Sequence, residues 1–216
     1  PKRSFFHKKL IEYILKHAKA ILSTSKTMLL ETQKYTRKKI EITPFGVDTN
    51  KFKKYEVASI FNKEDIVIGI VKSLEEVYGI EYLIKAFDIL KKRGHVNIKL
   101  IIIGNGSKEK ELKLLSDDLK VSDDITFTGI IPNNEVPEYL NMFTIAIIAS
   151  LEESFGVSAI EAMACEIPVV ATNVGGLSEI ITDNKTGLMI PPKCPLSIAN
   201  AIEKLILDPG LRSELG

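Results

Sequence analysis

Two glutamates eight positions apart, Glu153 and Glu161, flank a Phe-Gly pair in EESFGVSAIEAMACEIPVVATNVGG, residues 152–176. The rest of the run is apolar enough to be core, and a half-buried carboxylate is costly unless something pairs with it. The stretch therefore either caps a helix or receives a polar ligand. Val157, Ile160 and Ala164 fit one face of a helix beginning near Gly156. Free N–H groups and the dipole at a helix start bind phosphates, and a glycine there lets a ligand approach the backbone. Glu161 lies about one turn in, and helical side chains lean back toward the start. It is no phosphate ligand, because two anions repel. An ionised carboxylate instead accepts hydrogen bonds from sugar hydroxyls such as a ribose diol. A second reading stays open: Ser158-Ala-Ile-Glu161 matches the capping box S-x-x-E, in which Glu161 satisfies the helix start and nothing more. That reading leaves Glu153, the Phe155-Gly156 pair and the Gly175-Gly176 turn without a role.

These residues need a scaffold that brings strand ends and helix starts together. From about residue 64, the apolar runs IVIGIV, IKLIIIG, ITFTG, IAIIAS, PVVAT and TGLMI alternate with segments of helical pattern, the last over about 195–207. Strands apolar throughout predict a parallel sheet covered on both faces, a doubly wound α/β domain. Such sheets bind ligands outside the carboxyl ends of their strands, so function is expected in the loops after residues 71, 103, 129, 149 and 172. Upstream, the pattern predicts a helix over 4–19 with Phe6, Leu10, Ile14 and Ala18 on one face, then AILS, a helix over about 25–37, and KIEIT. Pro44, Gly46 and Asp48 then mark a turn out of this unit. So small a piece cannot cover its own apolar faces and reads as the tail of a larger sheet domain.

With 216 residues, 45% of them apolar, the chain can bury one good core. Cys165 and Cys194 lack metal-ligand spacing and fit a reducing cytosol better than a disulfide scaffold. No apolar run approaches the roughly 20 residues needed to span a bilayer, and PKRSFFHKK lacks the apolar centre of a signal peptide, so the expected location is cytoplasmic. Residues 1–54 hold 14 Lys and Arg against 4 Asp and Glu, a balance suited to acidic lipid or, more plainly, to a solvated helix face. No nucleic-acid module accompanies it, and no nucleic-acid partner is expected. The turn GNGSKE has Glu109 where a dinucleotide fingerprint needs its third glycine. Asp117-Asp118 and Asp123-Asp124 read as solvated surface acids, so no metal site is expected.

The run EESFGVSAIEAMACEIPVVATNVGGLSEII followed by NKTGLMIPP resembles the signature of retaining glycosyltransferases of the GT-B fold, glycosyltransferase family 4 (group 1), with Glu153 and Glu161 meeting its E-x(7)-E spacing. ITPFGVDTNKF is similar to that family's interdomain stretch, YGIEYLIKAF to its first donor-domain helix, and LIIIGNGSKEKEL and ITFTGIIPNNEVPEYLN to later segments. The resemblance implies a Rossmann-like donor domain over 59–216, preceded in 1–58 by the end of an acceptor domain and a linker. It implies a UDP-, GDP- or ADP-linked sugar as donor, no required cofactor, and a sugar or lipid-linked acceptor held by the other half, with peripheral contact to acidic membrane.

By the same resemblance Glu161 meets the ribose hydroxyls and Glu153 lies near the transferred sugar. Ser154 and the backbone at Phe155, Gly156 and Val157 hold sugar and phosphates, while Ile130 and Ile131 contact the base through main-chain groups. The family supplies an Arg and a Lys for the diphosphate; here Lys72 holds the first place and Tyr78, after Val77, the second. Lys72 and Glu153 are then the catalytic pair. A tyrosine offers only a neutral hydroxyl, which keeps a packing role for Tyr78 open, and with it a non-catalytic nucleotide-sugar-binding module as the alternative.

Overall fold

A computed structural model describes residues 5–216. The first unit runs α1 (Phe5–His17), β1 (Leu22–Ser23), α2 (Lys26–Gln33) and β2 (Glu41–Ile42). Its two strands pair in parallel, Leu22 with Glu41 and Ser23 with Ile42. Ser25 caps α2, its hydroxyl accepting from the Met28 N–H at 3.1 Å. The main unit continues with β3 (Ile66–Val71), α3 (Ile80–Lys92), β4 (Ile98–Ile103), α4 (Glu109–Asp118), β5 (Ile125–Gly129) and α5 (Val136–Leu140). It ends with β6 (Ile145–Ile148), α6 (Val157–Ala164), β7 (Val169–Thr172), α7 (Leu177–Ile180), β8 (Leu188–Ile190), α8 (Pro195–Leu207) and α9 (Pro209–Leu215).

The six main strands form one parallel sheet in the order β5-β4-β3-β6-β7-β8. This is the doubly wound α/β sheet expected from the apolar strands. Alternate residues of β3, β4, β6, β7 and β8 feed two cores. Ile68, Ile70, Leu100 and Ile102 pack with Leu83 and Phe87 of α3 and Ile202 of α8. On the other face, Val67, Ile101 and Ile103 pack with Val136, Phe143 and Ala159. Gly69 sits in mid-strand because the Phe143 ring occupies the place of its side chain, 2.2 Å from where a Cβ would stand.

The first helix exposes the apolar face that so small a piece was expected to leave uncovered. Phe6, Leu10 and Ile14 are exposed, while Ile11 and Leu15, half-buried, turn toward the main unit. Periodicity identifies an apolar stripe, whereas burial depends on what packs against it, and here α2 and the strand-end loops meet the neighbouring stripe. The two units are fastened at Glu179, which accepts from the N–H groups of Lys26 and Thr27 and from the Thr27 hydroxyl, each at 2.8 Å. Hydrogen bonds restrain its carboxyl from the opposite side to burial: burial raises its pKa, the bonds from α2 and the Lys26 charge lower it further, and the net direction is down.

The Gly175-Gly176 turn, which the sequence left without a structural purpose, has one. Gly175 has φ +53°, and a Cβ there would lie 1.8 Å from the Glu153 carbonyl oxygen, while the Gly176 N–H donates to that oxygen at 3.0 Å. The glycines hold the Glu153 backbone. Gly175→Ala is expected to lower unfolding free energy by about 1–3 kcal/mol through backbone strain. An unchanged urea midpoint would contradict this assignment.

Candidate functional site

The chain winds away from β3 in one direction through β4 and β5, and in the other through β6, β7 and β8. The crevice outside the carboxyl ends of β3 and β6 is therefore the switch point at which such sheets bind ligands. Lys72 follows β3 directly, and Glu153 stands in the loop after β6. Their side chains meet there, Lys72 Nζ lying 2.6 Å from Glu153 Oε2 with only 13% and 10% of the side chains exposed. Ser150 donates to the same oxygen at 3.2 Å. Removing one member of a buried pair costs about 3–5 kcal/mol, whereas replacing both by apolar groups is often neutral. Such a pair is weak as a source of stability and well suited to a site.

Tyr78 joins this pair from below. Its ring centroid is 4.8 Å from Lys72 Nζ, a cation–π contact of about 0.5–2 kcal/mol. The ring also packs against the core shared with α3, so the packing reading was right as far as it went. A 3-10 turn at Glu76–Tyr78 delivers it, followed by Gly79 at φ +61°. A Cβ on Gly79 would stand 2.3 Å from the Ala149 carbonyl, and Leu151 N–H donates to Val77 at 2.7 Å. The loops after β3 and β6 are thereby stitched together.

Helix α6 starts at Gly156, whose φ of +109° no other residue adopts easily. The first intrahelical acceptor is the Gly156 carbonyl, reached from Ala159 and Ile160, so the N–H groups of Val157 and Ser158 precede the ladder. The capping box does not form: Ser158 lies inside the helix, and its hydroxyl is buried without a hydrogen-bond partner. Glu161 is half-buried, and burial raises its carboxyl pKa against the lowering charges of Lys51 and Lys72. Phe155 is buried edge-on to Phe45, centroids 5.7 Å apart, and Ser154 is exposed beside it. Ile130 is 72% exposed; Ile131 packs on the α6 side of the sheet. Among the described residues, neither contributes a main-chain group to the hydrogen bonds of the loops and turns.

Lys51 was not among the residues singled out from sequence. Its ammonium bonds Asn133 in the loop after β5 and acts on Glu161. Separations of 82 residues to one partner and more to the other hide such a contact from any local pattern. A cleft of about 950 Å³ opens between Ile11, Leu15, Thr27 and Met28 on one wall and Tyr78, Leu151, Glu153 and Gly175 on the other. A second groove, about 480 Å³ between α3 and α4, holds none of the candidate residues. Cys165 is no nucleophile, since burial first and the Glu161 charge second push its thiol to about 11.

The folded protein holds the Glu161 proton more tightly than the unfolded chain does. Its contribution to stability is therefore full below the ordinary value of 4.5 and is lost as pH rises through the higher folded value. Glu161→Gln is expected to gain stability relative to the parent between pH 4 and pH 7 in urea unfolding. A relative loss over that interval would mean the carboxylate is satisfied within the fold.

The family model described as Glycosyl transferases group 1 matches residues 51–216. A D-inositol 3-phosphate glycosyltransferase of Paenarthrobacter aurescens (strain TC1) is 31% identical over 186 residues, 82% of this chain and 46% of that protein. Sucrose-phosphate synthase from Thermosynechococcus elongatus superposes with a TM-score of 0.89 at 25% identity, covering 99% of this chain and 55% of that one. Anabaena Alr3699/HepE, solved with UDP and glucose, shares the fold with a TM-score of 0.87 at 19% identity, over 98% of this chain and 60% of its own. The chain spans about half the length of the curated relatives it matches. Its own sheet brings Lys72 and Glu153 together at the switch point, and the chain belongs to the group 1 glycosyl transferases.

Proposed function

We propose that the chain is the donor-binding half of a retaining glycosyltransferase of family 4, with residues 59–216 as the donor domain and 1–58 as the end of the acceptor domain plus linker. The observation that carries this reading is the Lys72–Glu153 pair, almost buried at the switch point beside the uncapped start of α6. A nucleoside diphosphate placed there meets a cation and free N–H groups at its phosphates. Glu161, lacking a capping role, accepts from the ribose hydroxyls, with Ile130 and Ile131 near the base. The donor is a UDP-, GDP- or ADP-linked sugar, and the proposal calls for no other small molecule. The solved relative with UDP and glucose supports that class of donor.

The chemistry follows from the charges. As the bond between sugar and diphosphate breaks, negative charge collects on the leaving phosphate and positive charge on the sugar ring. Lys72 stabilises the first and Glu153 the second. Transfer with retention needs a sugar or lipid-linked acceptor in near-attack geometry, a positioning effect of about 7–11 kcal/mol that falls to the other half. Among the described residues no helix is long and apolar enough to cross a membrane. The basic balance of residues 1–54 supports a cytoplasmic enzyme whose acceptor half meets acidic lipid.

Lys72→Ala is expected to weaken binding of the diphosphate by calorimetry while leaving the matching nucleoside nearly unchanged, because the lost charge acts on phosphate. Equal losses would move Lys72 away from the phosphates. Glu161→Gln is expected to weaken both ligands by about 1.5–3 kcal/mol, the worth of a hydrogen bond to a charged group. An unchanged Kd would remove it from the ribose. Incubated with labelled nucleotide sugars and an acceptor panel, the 216-residue chain is expected to give slow donor hydrolysis at most. Robust glycoside formation would contradict the division into halves, and failure of transfer by the two-domain protein would favour the binding-module alternative.

A further inference from the structure

We infer that Tyr78 is a positioning residue for Lys72, and that its ring keeps the ammonium in the crevice when a donor's phosphate draws it away from Glu153. The inference rests on the donor reading above. The site's lysine and carboxylate neutralise one another at 2.6 Å, so each is masked by its partner. A diphosphate competes with Glu153 for the same three N–H donors of Lys72. Once Lys72 turns to phosphate, Glu153 is released toward the sugar. Donor binding and unmasking of the carboxylate are then one event.

A freed lysine has four rotatable bonds and a strong preference for water. What limits its travel is the third contact, the Tyr78 ring at 4.8 Å from Nζ. An aromatic face attracts a cation without using any of its N–H donors, so Lys72 can remain over the ring and donate to phosphate at once. The ring is well placed to act as a fixed platform. It packs on the α3 core, Gly79 locks the turn behind it, and the Leu151-to-Val77 hydrogen bond ties that turn to the Glu153 loop. Tyr78 also lines the cleft in which Glu153 and Ser154 stand. A side chain without charge at this position thus contributes to the phosphate site through Lys72.

The test compares Tyr78→Phe, which keeps the ring, with Tyr78→Leu, which keeps apolar volume and loses it. UDP, GDP and ADP are titrated into the parent chain, and the tightest binder and its nucleoside are taken to both variants. Tyr78→Phe is expected to bind the diphosphate within about twofold of the parent, and Tyr78→Leu about 3- to 30-fold more weakly with the nucleoside unchanged. Separately, with lysines labelled at Cε, the Lys72 signal, assigned through Lys72→Arg, is expected upfield in the parent and in Tyr78→Phe, and unshifted in Tyr78→Leu. Equal loss for diphosphate and nucleoside, or a loss in Tyr78→Phe as large as in Tyr78→Leu, would overturn the positioning role. An unshifted Lys72 signal in the parent would overturn it even where nucleotide binds. Absence of binding for all three diphosphates with the shift intact would instead overturn the donor reading on which it rests.

Discussion

An ammonium and a carboxylate drawn 81 residues apart along the chain and held at 2.6 Å in a nearly dry crevice impose the strictest condition on this fold. Both side chains carry a desolvation cost that only close pairing and added hydrogen bonds offset. The sheet order meets the condition by setting the ends of β3 and β6 side by side. The remaining precision comes from loops that approach one another more closely than side chains allow. Gly79 against Ala149, Gly104 against Lys72 and Gly175 against Glu153 each place backbone within 2.3 Å of a position where any other residue carries a Cβ. These are the loops that bear the charges.

The charges around the crevice are few and balanced. Lys72 faces Glu153, and Lys51, in the segment between β2 and β3, acts on Glu161 and is tethered through Asn133 to the loop after β5. Glu161 is the half-buried member without a capping role. Burial raises its pKa, and the serine three residues before it has a hydroxyl with no partner. A half-buried acid without a structural use is a cost to folding, and a ligand that supplies hydroxyl donors removes it. The site thus has a masked carboxylate at one end and a half-buried one at the other, a division of labour suited to a ligand having a reacting end and a recognition end.

Much of this was legible in the sequence. The strand runs read at 66–71 and 125–129 became strands at those bounds, and the strand-end loops they implied do carry Lys72 and Glu153. Shorter elements were trimmed, as where the helix expected over about 25–37 is Lys26–Gln33. What stayed hidden depends on tertiary proximity. The choice of Ile11 and Leu15 over Phe6, Leu10 and Ile14, the ring beneath Lys72, the reach of Lys51 and the use of Gly175-Gly176 are all set by contacts between distant segments. The capping box matched on spacing alone, but it needs Ser158 at the N-cap, and the helix is capped two residues earlier, at Gly156.

The central claim is that the Lys72–Glu153 pair opens to receive the phosphates of a nucleotide. A crystal structure of the chain with a bound nucleoside diphosphate tests this most directly. The account predicts Lys72 Nζ within hydrogen-bond distance of a phosphate oxygen and still over the Tyr78 ring, the Glu153 pair lengthened beyond its present 2.6 Å, and the ribose hydroxyls on Glu161. A nucleotide seated elsewhere, for instance in the groove between α3 and α4, with the pair unchanged, would contradict it.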